Sequence, residues 1–110
     1  MPKMTIQTGM ILEEMIKRPA EARYGLELMN VIHLNSGTVY QILARLERAG
    51  WLRSEWEDPA VHEAEKRPRR RMYHLTSDGV EHARRVVSQD TFQEHSKRAR
   101  RLLIRRQVLT

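Results

Sequence analysis

The segment Ser36-Gly37-Thr38-Val39-Tyr40-Gln41-Ile42-Leu43-Ala44-Arg45-Leu46-Glu47-Arg48-Ala49-Gly50 constrains the fold more than any other part of the chain. Val39, Ile42, Leu43 and Leu46 stand at i, i+3, i+4 and i+7, the spacing that gathers apolar side chains into one buried stripe of an α-helix. Ser36 is placed to cap the first turn with its hydroxyl, and Gly50 supplies the left-handed residue on which helices close. Once the inward stripe is fixed, so is the outer face. Gly37, Gln41, Ala44, Arg45 and Arg48 point away from the core, with Thr38 and Tyr40 on the flanks, and no acid stands among these seven.

The neighbouring segments fall into order around this helix. Residues 5–17 place Ile6, Met10, Ile11, Met15 and Ile16 near helical spacing, and Pro19 ends that run because its ring cannot continue the hydrogen-bond ladder. Residues 24–32 read as a short second helix. After the segment, residues 51–56 and 71–76 carry the aromatic and alternating character of strands. Residues 57–70, with two prolines and many charges, read as the loop of an antiparallel hairpin. Thr76 caps a last helical region, with Asp78 in its first turn where the helix dipole favours negative charge. That region runs to about Leu109, with Val80, Ala83 and Val87 on one face, Phe92, Ala99 and Leu103 on a rotated stripe, and a kink expected near Asp90.

A chain of 110 residues buries somewhat over about 60% of its unfolded surface, which supports one small core and not a cofactor domain plus a substrate domain. No serine sits in a nucleophile elbow and no glycine-rich phosphate loop occurs, so no enzyme and no cofactor are expected. Zero cysteines exclude disulfides and thiolate metal sites. The histidines at 33, 62, 74, 82 and 95 never stand at i, i+4 spacing, so no metal site is expected, His62 with Glu63 and Glu65 coming nearest to a ligand set. The chain has no run of apolar residues long enough for a membrane span, and its opening residues lack the apolar stretch of a signal peptide. A cytoplasmic protein without a membrane partner is the expectation.

The net charge of +6 is unevenly placed. Residues 1–65 carry 7 Lys/Arg against 10 Asp/Glu, whereas residues 66–110 carry 13 against 4. Most of the excess lies in Lys66-Arg67-Pro68-Arg69-Arg70-Arg71 and in the basic stretch 97–106. Charge runs alone read as solvated surface, often a disordered tail, about as readily as a binding patch. Their position is what points to a polyanion, because the first cluster falls between two strands that follow a helix with an acid-free outer face.

Three helices and then a hairpin is the element order of a winged helix-turn-helix, in which the third helix enters the major groove and the hairpin touches the flanking backbone. The expected fold is therefore α+β, mainly α with a small β-hairpin. A DNA-binding domain over 1–79 is followed by a C-terminal helical dimerisation segment over 80–110. The expected DNA contacts are Ser36, Thr38, Tyr40, Gln41 and Arg45 on helix 36–49, and Lys66, Arg67, Arg69, Arg70 and Arg71 in the wing 57–71. A phenol at Tyr40 can donate to a phosphate, although the position also suits an ordinary boundary aromatic. The Gln41 amide matches the N6 donor and N7 acceptor of adenine, and Arg45 reaches guanine or phosphate. Strand alternation predicts that Arg70 and Arg71 face opposite ways. Trp51 and Trp56 read as packing residues.

The sequence also resembles the PadR family of bacterial transcriptional regulators. Tyr24-Gly25-Leu26-Glu27-Leu28 is similar to the opening of that family's second helix, and Ser36-Gly37-Thr38-Val39-Tyr40 with Leu43 and Leu46 to its recognition helix. Glu47-Arg48-Ala49-Gly50-Trp51-Leu52 and Ser54-Glu55-Trp56-Glu57 resemble the helix exit and first wing strand. Arg67-Pro68-Arg69-Arg70, Tyr73-His74-Leu75-Thr76 and Gly79 resemble the wing return and the entry to the next helix. The insertion at 58–66 is longer and more acidic than the resemblance leads one to expect. The resemblance implies a homodimer joined through its C-terminal helices and first helix, binding an inverted repeat in double-stranded DNA and repressing transcription. A small-molecule effector is left unassigned.

The basic stretch 97–106 surrounds Leu102, Leu103 and Ile104 and either lies on DNA or an acidic partner, or packs its apolar residues between two copies. The second reading is favoured, giving an expected interface of Val87, Phe92, Ala99, Leu102 and Leu103. The rival to the DNA-binding regulator is an adaptor that uses the winged-helix surface to bind proteins without sequence-specific DNA binding.

Overall fold

The first helix is apolar nearly all round, and it occupies the centre of the molecule accordingly. In the computed structural model, which describes residues 2–109 and side chains from Pro2 to Ile104, α1 spans Ile6–Ile16. Thr5 caps it, its hydroxyl oxygen accepting the Thr8 N–H at 3.1 Å. Met10, Ile11, Leu12 and Met15 are buried, and the later helices wrap around them.

A two-residue strand, β1 (Arg23–Tyr24), leads directly into α2 (Gly25–Ile32). His33, left-handed at φ 66°, ends α2, and α3 (Ser36–Arg48) follows within three residues. The cap of α3 is Asn35 and not Ser36: the Asn35 side-chain oxygen accepts the Thr38 N–H at 2.9 Å, leaving Ser36 as the first helical residue. Both residue types cap well, and the extended conformation falls on the asparagine, one place earlier than expected. The stripe Val39, Ile42, Leu43 and Leu46 is buried as its spacing predicts. At the exit Gly50 takes φ +81°, donating to the Glu47 carbonyl while Trp51 N–H reaches back to the Leu46 carbonyl, both at 3.0 Å, which satisfies two of the orphan carbonyls at the end of the helix.

The wing differs from the expected two-stranded hairpin. Strands β2 (Leu52–Trp56) and β3 (Arg71–Leu75) pair antiparallel in a register that sets Leu52 opposite Leu75 and Trp56 opposite Arg71. β1 adds to the other edge of β3, giving a three-stranded sheet of order β1-β3-β2. The segment between β2 and β3 is not a plain loop either. It contains a helix, α4 (Pro59–Glu65), capped by Asp58, begun on Pro59 and closed by Lys66 in the left-handed region at φ 54°. Asp followed by Pro is a helix start as well as a loop signal, since proline at the first helical position gives up an N–H that has no partner there anyway.

Thr76 caps α5 (Ser77–Ser88), accepting the Gly79 N–H at 3.0 Å and donating its hydroxyl to the Gly50 carbonyl at 2.7 Å. The chain passes so close here that a Cβ on Gly79 would lie 1.9 Å from the Trp51 carbonyl oxygen, a backbone atom with nowhere to move. His82 stacks flat on the Trp51 ring at 4.3 Å, locking α5 to the exit of α3. The expected kink is a full break. Gln89 is extended (φ −73°, ψ 128°), and α6 (Asp90–Leu109) starts again at the next residue. The break turns α6 back onto α1, where Phe92 is buried (6% exposed) with its ring over Gly9, and where Arg100 pairs with Glu13. Phe92, expected between two copies, is thus part of the chain's own core. Among the described residues six helices and this small antiparallel sheet make an α+β winged helix. No described helix is long and apolar enough to cross a membrane.

Candidate nucleic-acid interface

Tyr40 of α3 and the arginines of the wing meet in one groove. Ser36 and Gln41 are exposed on α3, and Thr38 and Arg45 are half-buried beside them. Tyr40, 47% exposed, leans from the first turns of α3 across the start of α2. Its ring lies against Gly25 so closely that a Cβ there would come within 2.5 Å, so glycine is what lets the phenol sit at this edge. Tyr24, Tyr40 and Trp56 line the groove with Arg69, Arg70 and Arg71, enclosing about 490 Å³.

Arg67 also lines this groove, and the guanidiniums of its other three arginines lie against its aromatic rings. Arg70 stands 3.9 Å from the Tyr24 ring centroid, and Arg71 and Arg69 stand 5.3 and 5.9 Å from that of Trp56. Arg71 Nε–H donates to Ser54 Oγ at 3.0 Å, and the Ser54 hydroxyl donates in turn to Glu47 of α3, so the strand and the helix hold one another. Arg69 Nε–H donates to the Glu57 carbonyl at 2.9 Å. Among the described residues no carboxylate lies within 4 Å of the Arg69, Arg70 or Arg71 guanidinium, nor of Arg45 or Lys66. Arg70 and Arg71 both line the groove. Alternation does not separate them, because Arg70 precedes the first residue of β3.

Arg67 has a different task. It grips Glu57 through both terminal nitrogens and reaches Glu65 with Nε, joining the end of α4 to the base of the wing. The Glu57 carboxylate also accepts the Arg70 backbone N–H at 2.8 Å. Expected on DNA, Arg67 is instead spent as an internal strut, while Lys66 remains exposed at the end of α4. The Arg67 hydrogen bonds, against a smaller opposing effect of burial, lower the Glu57 pKa from 4.5 to about 2. A depressed carboxylate contributes stability that is full above its ordinary value, declines as pH falls below it and is gone once pH has fallen through the folded one. The wing strut is therefore expected to persist from neutral pH down to about 2. Carboxyl carbon NMR checks this: Glu57 should titrate near 2 in the native chain and return toward 4.5 in Arg67→Gln.

Trp51 is buried, as a packing residue should be, but Trp56 is 53% exposed at the end of β2. Tyr24, Gly25 and Trp56 are groove residues that a sequence reading passes over. The available signal was the alternation Leu52, Ser54, Trp56 on one strand face, which carries the tryptophan past the edge of the core. Outside the groove, Leu102 (59% exposed) and Ile104 are uncovered on α6, whereas Ala99 and Leu103 pack partly against the core and Val87 is half-buried. Ile6, Met10, Leu34, Ala99, Leu102 and Leu103 border an opening of about 470 Å³ between α1 and α6. Arg105 and Arg106 of the basic stretch lie outside the residues whose side chains are described. Among the described residues no three His, Asp or Glu side chains gather as a metal site.

Comparison with known proteins agrees with the fold. The profile of the transcriptional regulator PadR-like family matches residues 14–85. No curated protein gives a significant match. Among solved structures, the chain is similar to a PadR-like transcriptional regulator from Bacillus cereus, with 21% identity, a TM-score of 0.61, and coverage of 89% of this chain and 91% of that one. A PadR family regulator from Eggerthella lenta gives 22% identity and a TM-score of 0.58 over 89% of this chain and 85% of its own. MepR, a transcription regulator of the Staphylococcus aureus multidrug efflux pump MepA, gives 19% identity and 0.64 over 86% of this chain. The chain spans 62% of the MepR chain. At these identities the likeness is one of fold.

Proposed function

Because the chain belongs to the PadR-like family of transcriptional regulators, which are not enzymes, we propose that it binds double-stranded DNA as a homodimer and represses transcription from an inverted-repeat operator. The observation that carries this reading is the groove. Arg69, Arg70 and Arg71, with no carboxylate within 4 Å of their guanidiniums, stand in the wing across the groove from Tyr40 of α3, a helix whose outer face carries no acid, so the positive charge of the wing adjoins the helix proposed to read bases. In this reading α3 lies in the major groove with Gln41 and Arg45 toward base edges, while Tyr40, Lys66, Arg69, Arg70 and Arg71 hold the flanking backbone. The uncovered Leu102 and Ile104 on α6 supply the apolar contact between copies, with Ala99 and Leu103 beneath them, and residues 80–110 act as the dimerisation segment.

Readout and positioning separate under mutation. Gln41→Ala and Arg45→Ala are each expected to cost about 1–3 kcal/mol on the operator and to narrow its advantage over a scrambled duplex. Arg69→Ala and Arg70→Ala are expected to weaken both duplexes alike, since a phosphate contact carries no sequence information. Competition titrations of the four variants at one salt concentration provide the check. Loss of discrimination in the wing variants, with discrimination kept in Gln41→Ala and Arg45→Ala, would assign the reading to the wing.

A further inference from the structure

We propose that Tyr24 and Trp56 are positioning residues of a phosphodiester clamp, their ring faces holding the guanidiniums of Arg70 and of Arg69 and Arg71 so that successive backbone phosphates of duplex DNA enter the groove between the start of α3 and the wing. The proposal rests on the DNA-binding reading and states how that surface grips its ligand.

An arginine side chain is long and flexible, and ordering it for a phosphate costs the freedom of several torsions. A guanidinium laid on an aromatic face loses much of that freedom before the ligand arrives. It uses its π surface on the ring and keeps its in-plane N–H edge for oxygen acceptors, the geometry suited to a phosphate. Of the four arginines that line the groove, Arg69, Arg70 and Arg71 lie within about 6 Å of a ring centroid, the range in which the attraction acts. Two are further tied through Nε alone, Arg71 to Ser54 and Arg69 to the Glu57 carbonyl, which leaves their terminal nitrogens unspent.

The rings are themselves anchored. Tyr24 belongs to β1 and is paired opposite Met72, and Trp56 stands opposite Arg71 in the β2–β3 ladder. The other wall is Tyr40, a neutral donor seated on Gly25. Three guanidiniums with no carboxylate within 4 Å, fixed around an open groove, fit the doubly ester-linked phosphates of a backbone passing through. They do not fit an apolar ligand, which would leave the charges desolvated and unpaired. Arg67, bound to Glu57 and Glu65, belongs to the frame and not to the clamp.

The test measures the affinity of the full chain for one duplex across a range of salt concentrations, comparing Trp56→Leu with Trp56→Phe and Tyr24→Leu with Tyr24→Phe. Each leucine variant is expected to reduce the slope of log affinity against log salt by about 1 per half-site, as Arg71→Ala and Arg70→Ala do, because a guanidinium without its platform no longer holds a phosphate. The phenylalanine variants, which keep a ring face, are expected to retain the native slope. If the leucine variants keep the native slope while the two arginine variants lose it, the rings position nothing, and the clamp is wrong while DNA binding stands. If the native chain binds no duplex, both fall. Should Tyr24→Leu fail to fold, Trp56→Leu decides the matter alone, since more than half of that side chain faces solvent.

Discussion

Replacing Arg23 with methionine is expected to destabilise the chain by about 3–5 kcal/mol, the cost of leaving a buried ion without its partner. Arg23 is the largest fully buried side chain of the core, at 1% exposure. It donates to the Glu14 carbonyl at 2.9 Å, lies 3.3 Å from the Glu14 carboxylate, and pairs through Nε with Glu27. One guanidinium thus joins α1 to the start of α2, while its backbone joins β1 to β3 opposite Tyr73. Burial pushes the Glu14 carboxyl up, but hydrogen bonds from Lys17 and Arg23 outweigh it and hold the group below its ordinary 4.5. The contribution is therefore full above that value and declines as pH falls below it. Without Arg23, Glu14 keeps only the half-exposed Lys17, and its carbonyl loses a donor. Urea unfolding at neutral pH and fixed protein concentration measures the loss. The double variant Arg23→Met/Glu14→Leu should recover most of it, because an apolar pair of similar volume replaces a buried ion pair at little cost. A loss below about 1 kcal/mol in the single variant would show that the triad is not the tie between α1 and the sheet.

The second large effect is on binding. Operator affinity is expected to fall by about 10³ to 10⁵ between 50 and 200 mM salt, the loss that accompanies neutralisation of about 6 to 10 phosphates. With Arg67 given to the wing frame, Arg45, Lys66, Arg69, Arg70 and Arg71 are the cations left facing the proposed DNA surface on each copy, and two copies together reach that range. Each phosphate contact releases condensed counterions, so the log–log slope counts contacts directly. A nearly flat dependence would mean that the arginine groove does not lie on a backbone.

Much of the scaffold could be read from local signals. The stripe of α3, the stop at Gly50 and the cap at Thr76 each depend on residues within one or two turns, and each stands where its pattern places it. What escaped depends on distant partners. β1 is two residues long and exists only because β3 passes beside it. Arg67 was indistinguishable from its neighbours until α4 folded and brought Glu57 and Glu65 to it. Phe92 fits an outward stripe if the last helix continues, and becomes core once the break at Gln89 turns α6 onto Gly9. The groove was half legible: Tyr40 and the arginines were named from sequence, whereas the rings of Tyr24 and Trp56 enter it through sheet register.

Selection of bound fragments from a randomised duplex pool at about 150 mM salt decides whether α3 reads a DNA sequence, because charge alone binds every duplex alike. An inverted repeat is expected to be enriched, its half-sites about 10 base pairs apart, or a multiple of that, centre to centre. Gln41→Ala and Arg45→Ala are expected to relax the preference at positions within each half-site. A pool that stays random after selection, while the protein still retains DNA through its wing, would overturn sequence reading by α3 and favour an adaptor that uses the winged-helix surface for protein partners.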